Sequence, residues 1–75
     1  MPGDLSEATA LGRDVRARRR DLGLRQEVVA DLSGTSARFI STLENGKPTV
    51  RLDKVVAVLD ALGLRLRAEV RTVAR

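Results

Sequence analysis

The chain has no cysteine, no histidine, no tryptophan and no tyrosine, and Phe39 is the single aromatic among its 75 residues. Without cysteine there is neither a disulfide framework nor a thiol nucleophile. Without histidine the commonest general base and metal ligand are missing. There is no glycine-rich phosphate loop and no acidic pair framed by a pocket-sized fold, so no enzyme activity, cofactor or metal is expected. No apolar run approaches the ~20 residues needed to span a bilayer. The opening stretch MPGDLSEATA lacks the basic and apolar regions of a secretory signal, and a cytoplasmic protein is expected. A chain of this length makes one domain and buries only about 60% of its unfolded surface, which favours oligomerisation.

What is present is positive charge. Fourteen Lys and Arg against ten Asp and Glu give a net charge of +4 and a pI of about 11.0. A basic balance points to a polyanionic partner, with nucleic acid ahead of an anionic membrane. A basic membrane-surface helix over residues 13–25 is disfavoured, because that segment lacks the Trp/Phe/Leu-rich face such helices use.

The organising stretch is residues 26–46, QEVVADLSGTSARFISTLENG. It predicts two short helices joined by a tight turn. Val28, Val29, Ala30 and Leu32 give the first its apolar content. Ser33-Gly34-Thr35-Ser36 then breaks the pattern, with Gly34 suited to a positive φ and Ser36 to an N-cap. Ile40 and Leu43 share one face of the second helix, which should end at Asn45-Gly46 ahead of Pro48. Small Ala30 at a helix crossing, Gly34 at the turn, and Ile40 and Leu43 as anchors make the layout of a helix-turn-helix. The polar face of the second helix is then free to enter a DNA major groove. An ordinary helical hairpin in a small bundle is the competing interpretation.

These residues, extended to QEVVADLSGTSARFISTLENGKP and preceded by Leu22-Gly23-Leu24-Arg25-Gln26, resemble the helix-turn-helix of the lambda-repressor-like (Xre-type) DNA-binding proteins. The likeness covers about residues 11–70, and the segment GKPTVRLDKVVAVLDALGLRL is particularly similar to the HipB-like antitoxins, whose partner is a HipA-type kinase. Arg25 departs from the threonine of many relatives, and Thr35 from their frequent valine. The resemblance implies a mainly α, four- to five-helix lambda-repressor-like DNA-binding domain, with a short C-terminal β-strand for intermolecular pairing. It also implies that Arg19 pairs with Glu44, tying the first helix to the third, and that Gln26 contacts phosphate.

In chain order, residues 1–6 are expected to form a disordered tail, with Ser6 as a cap. The DNA-binding domain follows over residues 7–63. Its first helix, from Glu7 to about Asp21, carries an apolar stripe of Ala8, Leu11, Val15 and Leu22. Its other faces are basic. Arg13, Arg16, Arg18, Arg19, Arg20 and Arg25 face only Asp14 and Asp21, and some of these arginines are expected at phosphates. A loop with Lys47 leads past Arg51 to a fourth helix, about residues 52–62, with a stripe of Leu52, Val55, Val56, Leu59 and Leu62 and a terminating Gly63.

The period then changes. Leu64, Leu66, Ala68 and Val70 alternate with Arg65, Arg67, Glu69 and Arg71, which predicts a dimerisation strand over residues 64–71. With no second strand candidate in the chain, it is expected to pair with the same strand of another copy, the alternative being a fraying extension of the fourth helix. Residues 72–75 are expected to form a disordered tail.

The expected function is a homodimeric transcriptional regulator, most simply a repressor, that reads a palindromic double-stranded operator and acts as an antitoxin beside a HipA-type kinase. A toxin-neutralising interaction module and a stand-alone phage-type repressor are the alternatives. Ser36, Ala37, Arg38 and Thr42 should face base edges, with Arg38 suited to guanine O6 and N7 and with Ala37 and Thr42 suited to a thymine methyl. Arg25, Gln26, Ser41, Asn45, Lys47 and Arg51 are expected at the DNA as well, mainly at its backbone. Phe39 is expected to pack.

Overall fold

The computed structural model describes residues 5–70, with side chains from residue 7 onward. Four helices follow one another: α1 (Leu5–Asp21), α2 (Gln26–Ser33), α3 (Ala37–Glu44) and α4 (Leu52–Ala61). They enclose one core of Val15, Val29, Ala30, Ile40, Leu43, Val55, Val58, Leu59 and Leu62, flanked by partly buried Leu11, Leu24, Phe39, Val50 and Leu64. α3 packs against α1 and α2, and α2 against α4.

Each helix stops by the same device. The N–H groups that follow α1, α2, α3 and α4 turn back onto the last carbonyls, as in Leu64 N–H to Leu59 O (2.7 Å) and Thr35 N–H to Ala30 O (2.9 Å). A glycine with positive φ sits at the bend each time. The device matters most at Gly34, where φ is 68° and the chain turns directly from α2 into α3. Ser36 then starts α3, its Oγ accepting from the Phe39 N–H at 3.0 Å. The Ser33 and Thr35 hydroxyls meet at 2.9 Å in this turn, which gives the unusual Thr35 a partner.

Several expectations need correction. α1 begins at Leu5, so Ser6 lies inside the helix, and the rest of the tail expected over residues 1–6 lies outside the described residues. Leu22 lies beyond the end of α1 and is exposed, while Leu24, after the Gly23 bend, folds back on the core in its place. In α4 the buried arc is centred between Val55 and Leu62. Val58 therefore belongs to the core, and Leu52 and Val56 fall on its exposed flank.

The largest departure is the dimerisation strand. Among the described residues there is no β-strand, and residues 64–70 are irregular. Leu64 packs on the core, but Leu66 is 44% exposed, Ala68 is exposed and Val70 is fully exposed. A strand needs a ladder partner, and the described residues supply none. Arg71 and the tail expected over residues 72–75 lie outside the described residues. No helix among those described is long and apolar enough to cross a membrane.

Candidate nucleic-acid interface

α3 is amphipathic over only eight residues. Ile40 and Leu43 point into the core and are almost fully buried. On the other side Arg38 is exposed, and Ala37, Ser41 and Thr42 are half-exposed. No side-chain hydrogen bond or ion pair is made by Arg38, Ser41 or Thr42 among the described residues. This leaves a convex polar helix face whose donors and acceptors are uncommitted, as groove insertion requires.

A shallow cleft of about 330 Å³ runs beside this face, lined by Ser36, Arg38, Phe39, Thr42, Lys47, Thr49, Val50, Arg51 and Lys54. Four of these side chains are cationic. Lys54 was not singled out in the sequence, where it is one lysine in the first turn of α4. Its ammonium lies 5.8 Å from the centre of the Phe39 ring, a cation–π arrangement that holds the charge at the cleft. Phe39 itself packs against the core, as expected. Arg51 is exposed and forked onto Asp53, Nε to Oδ1 at 3.1 Å and Nη2 to Oδ2 at 2.7 Å. The Asp53 carboxyl is held below its ordinary range chiefly by that hydrogen bond from Arg51.

Behind the polar face lies a buried network. The Glu44 side chain is 3% exposed and bound by Arg19, Nε to Oε2 at 2.5 Å and Nη2 to Oε1 at 2.9 Å. Arg19 also donates from Nη1 to the Leu24 carbonyl at 2.9 Å, fixing the turn after α1. Gln26 donates from Nε2 to Glu44 Oε1 at 3.2 Å. Burial pushes the Glu44 carboxyl up, but the hydrogen bonds from Arg19 and Gln26 and the charges of Arg19 and Arg16 outweigh it, so the net shift is downward. The Arg19 guanidinium shifts upward, mainly through its bond to Glu44. The network joins α1, α2 and α3.

The arginines of α1 divide into two groups. Arg18 donates from Nε to the Leu62 carbonyl at 2.8 Å, satisfying the end of α4, and Arg19 is held by Glu44. Arg13, Arg16, Arg20 and Arg25 are exposed. Arg25 precedes α2 and gives it no side-chain cap, and Gln26 is half-buried. Asn45 is exposed at the end of α3, and Lys47 is exposed in the loop beyond it. Leu66, Ala68 and Val70 lie outside this arrangement and are exposed.

Residues 10–73 match the sequence pattern of a helix-turn-helix domain family. The chain belongs to that family. An uncharacterised HTH-type transcriptional regulator of Sinorhizobium fredii (strain NBRC 101917 / NGR234), y4mF, is 45% identical to it over 53 residues, which are 71% of this chain and 70% of that protein. In this helix-turn-helix protein α2 and α3 are joined by the tight turn at Gly34, α1 packs against α3 and α4 against α2.

Proposed function

We propose that the protein is a DNA-binding transcriptional regulator that reads its site with α3. The observation that carries this reading is the uncommitted polar face of α3, beside a cleft that gathers Arg38, Lys47, Arg51 and Lys54. Arg38, Ala37, Ser36 and Thr42 face base edges, and Arg38 recognises guanine through its two-pronged fork. Gln26, Arg25, Ser41, Asn45, Lys47, Arg51 and Lys54 hold the phosphate backbone on either side. Selection from random duplexes, followed by titration of the enriched sequence, tests this. An enriched motif bound well above random DNA is expected, and the absence of any enrichment would rule the reading out.

The active species is a homodimer on a palindromic operator. Exposed Leu66, Ala68 and Val70 and the backbone of residues 65–70, which is unpaired among the described residues, support a second copy as their cover, with pairing formed only between chains. The similarity of residues 46–66 to HipB-like antitoxins further supports a place in a toxin–antitoxin pair with a HipA-type kinase, in which the protein represses its own operon. Co-purification of a kinase encoded beside the gene is the test, and a lone gene with no such neighbour would remove that assignment.

A further inference from the structure

We propose that Glu44 is a positioning residue for DNA contact, presenting the Gln26 amide to the phosphate backbone while Arg19 cancels its charge. This rests on the reading of Gln26 as a phosphate donor.

The argument starts from the inventory of donors and acceptors. A carboxylate only accepts, so the Gln26 group 3.2 Å from Glu44 Oε1 must be the NH2, and the amide orientation is fixed. One N–H is used by Glu44. The second N–H and the carbonyl oxygen bond to no other side chain or backbone group among the described residues. A free glutamine would lose rotamer freedom on gripping a phosphate, whereas this one is ordered beforehand and that cost is reduced.

A carboxylate so close to a phosphate site would ordinarily repel the ligand. Here Arg19 binds both Glu44 oxygens, and the pair is buried, with side-chain exposures of 12% and 3%. The amide is therefore held by a strong acceptor without a net negative charge facing the DNA. Because Arg19, Gln26 and Glu44 come from α1, α2 and α3, the same bonds also fix the phosphate-gripping end of α2 relative to the reading helix.

The test is a double-mutant cycle on DNA affinity with Gln26→Ala, Glu44→Gln and the double variant, each measured where circular dichroism shows it folded. Gln26→Ala should weaken binding roughly tenfold or more, the loss of a hydrogen bond to a charged group. Glu44→Gln should weaken the wild type several-fold and add nothing in the Gln26→Ala background. Additive losses would overturn the positioning role while leaving Gln26 as a phosphate contact. No loss in Gln26→Ala would remove that contact and the proposal together. A second measurement needs no variant. Gln26 and Asn45 are the only side-chain amides in the sequence, so their NMR signals are separable without ambiguity. The Gln26 Nε2 protons should exchange with water more slowly than those of exposed Asn45, and equal exchange would overturn the proposal even if Glu44→Gln failed to fold.

Discussion

Gly12 of α1 lies against the last turn of α3 so closely that a Cβ on it would come 2.4 Å from the Leu43 carbonyl oxygen and 2.8 Å from that of Glu44. Both obstacles are backbone, and neither has a flexible end to move. Gly12→Ala must therefore push α1 away from α3, at about 1–3 kcal/mol for overpacking. Each kcal/mol lowers the melting midpoint of a domain this size by roughly 4–8 °C. An unchanged midpoint in thermal melts would mean that the two helices do not approach this closely.

Glu44→Ala strands the buried Arg19 guanidinium and should cost about 3–5 kcal/mol. The pH dependence has a defined sign. The folded-state pKa of Glu44 is depressed, so its contribution is complete above the ordinary glutamate value and is lost as pH falls through the lower folded value. The stability gap between wild type and Glu44→Gln should stay flat from neutral pH down to the ordinary carboxylate range and narrow below it. Urea titrations across that range would show it, and a gap that widened toward low pH would contradict the network.

Much of this was legible before the fold was known, and the omissions have physical causes. The turn at Gly34, the cap at Ser36 and the anchors Ile40 and Leu43 are local, and local chemistry reads well from sequence. Gly12 and Arg18 were missed because each acts on a residue far along the chain, at Leu43 and Leu62 respectively. Lys54 was missed because its partner Phe39 belongs to another helix. Val58 and Val56 exchanged roles because an apolar stripe fixes a helix face only to within a neighbouring residue. The alternation over residues 64–70 is real, yet a strand is a property of a pair, and the described residues do not contain the pair.

Affinity for DNA should fall steeply as salt rises. Exposed Arg13, Arg16, Arg20, Arg25 and Lys47, with half-buried Lys54, offer several phosphate contacts, and each neutralised phosphate contributes a slope of about −0.9 in log affinity against log salt. Titrations at a series of ionic strengths would measure it. A flat response would place the basic surface away from the DNA.

Arg38→Ala and Lys54→Ala should separate reading from gripping. The first should relax preference at one position per half-site, costing ~1–3 kcal/mol on the preferred sequence. The second should weaken preferred and random duplexes alike and reduce the salt slope by about one. Equal losses on both duplexes for Arg38→Ala would remove it as a base reader.

Removal of residues 64–75 should yield a less stable monomer with much weaker operator binding, because two half-sites one helical turn (~34–36 Å) apart are no longer bound together. Sedimentation velocity on the truncated protein is the direct measurement. A truncated dimer with full operator affinity would exclude this segment as the interface and leave the exposed flank of α4 as the next candidate.

The separation within α3 between its two sides has an evolutionary consequence. Ile40, Leu43 and Glu44 answer to the interior, while Ala37, Arg38, Ser41 and Thr42 form none of the side-chain bonds that hold the domain. These four positions behave like the movable type of a printing frame. If they read DNA as proposed, their exchange as a block would give the same scaffold a new DNA address, and a lineage of duplicated copies could diverge in the genes they govern while remaining almost unchanged in stability.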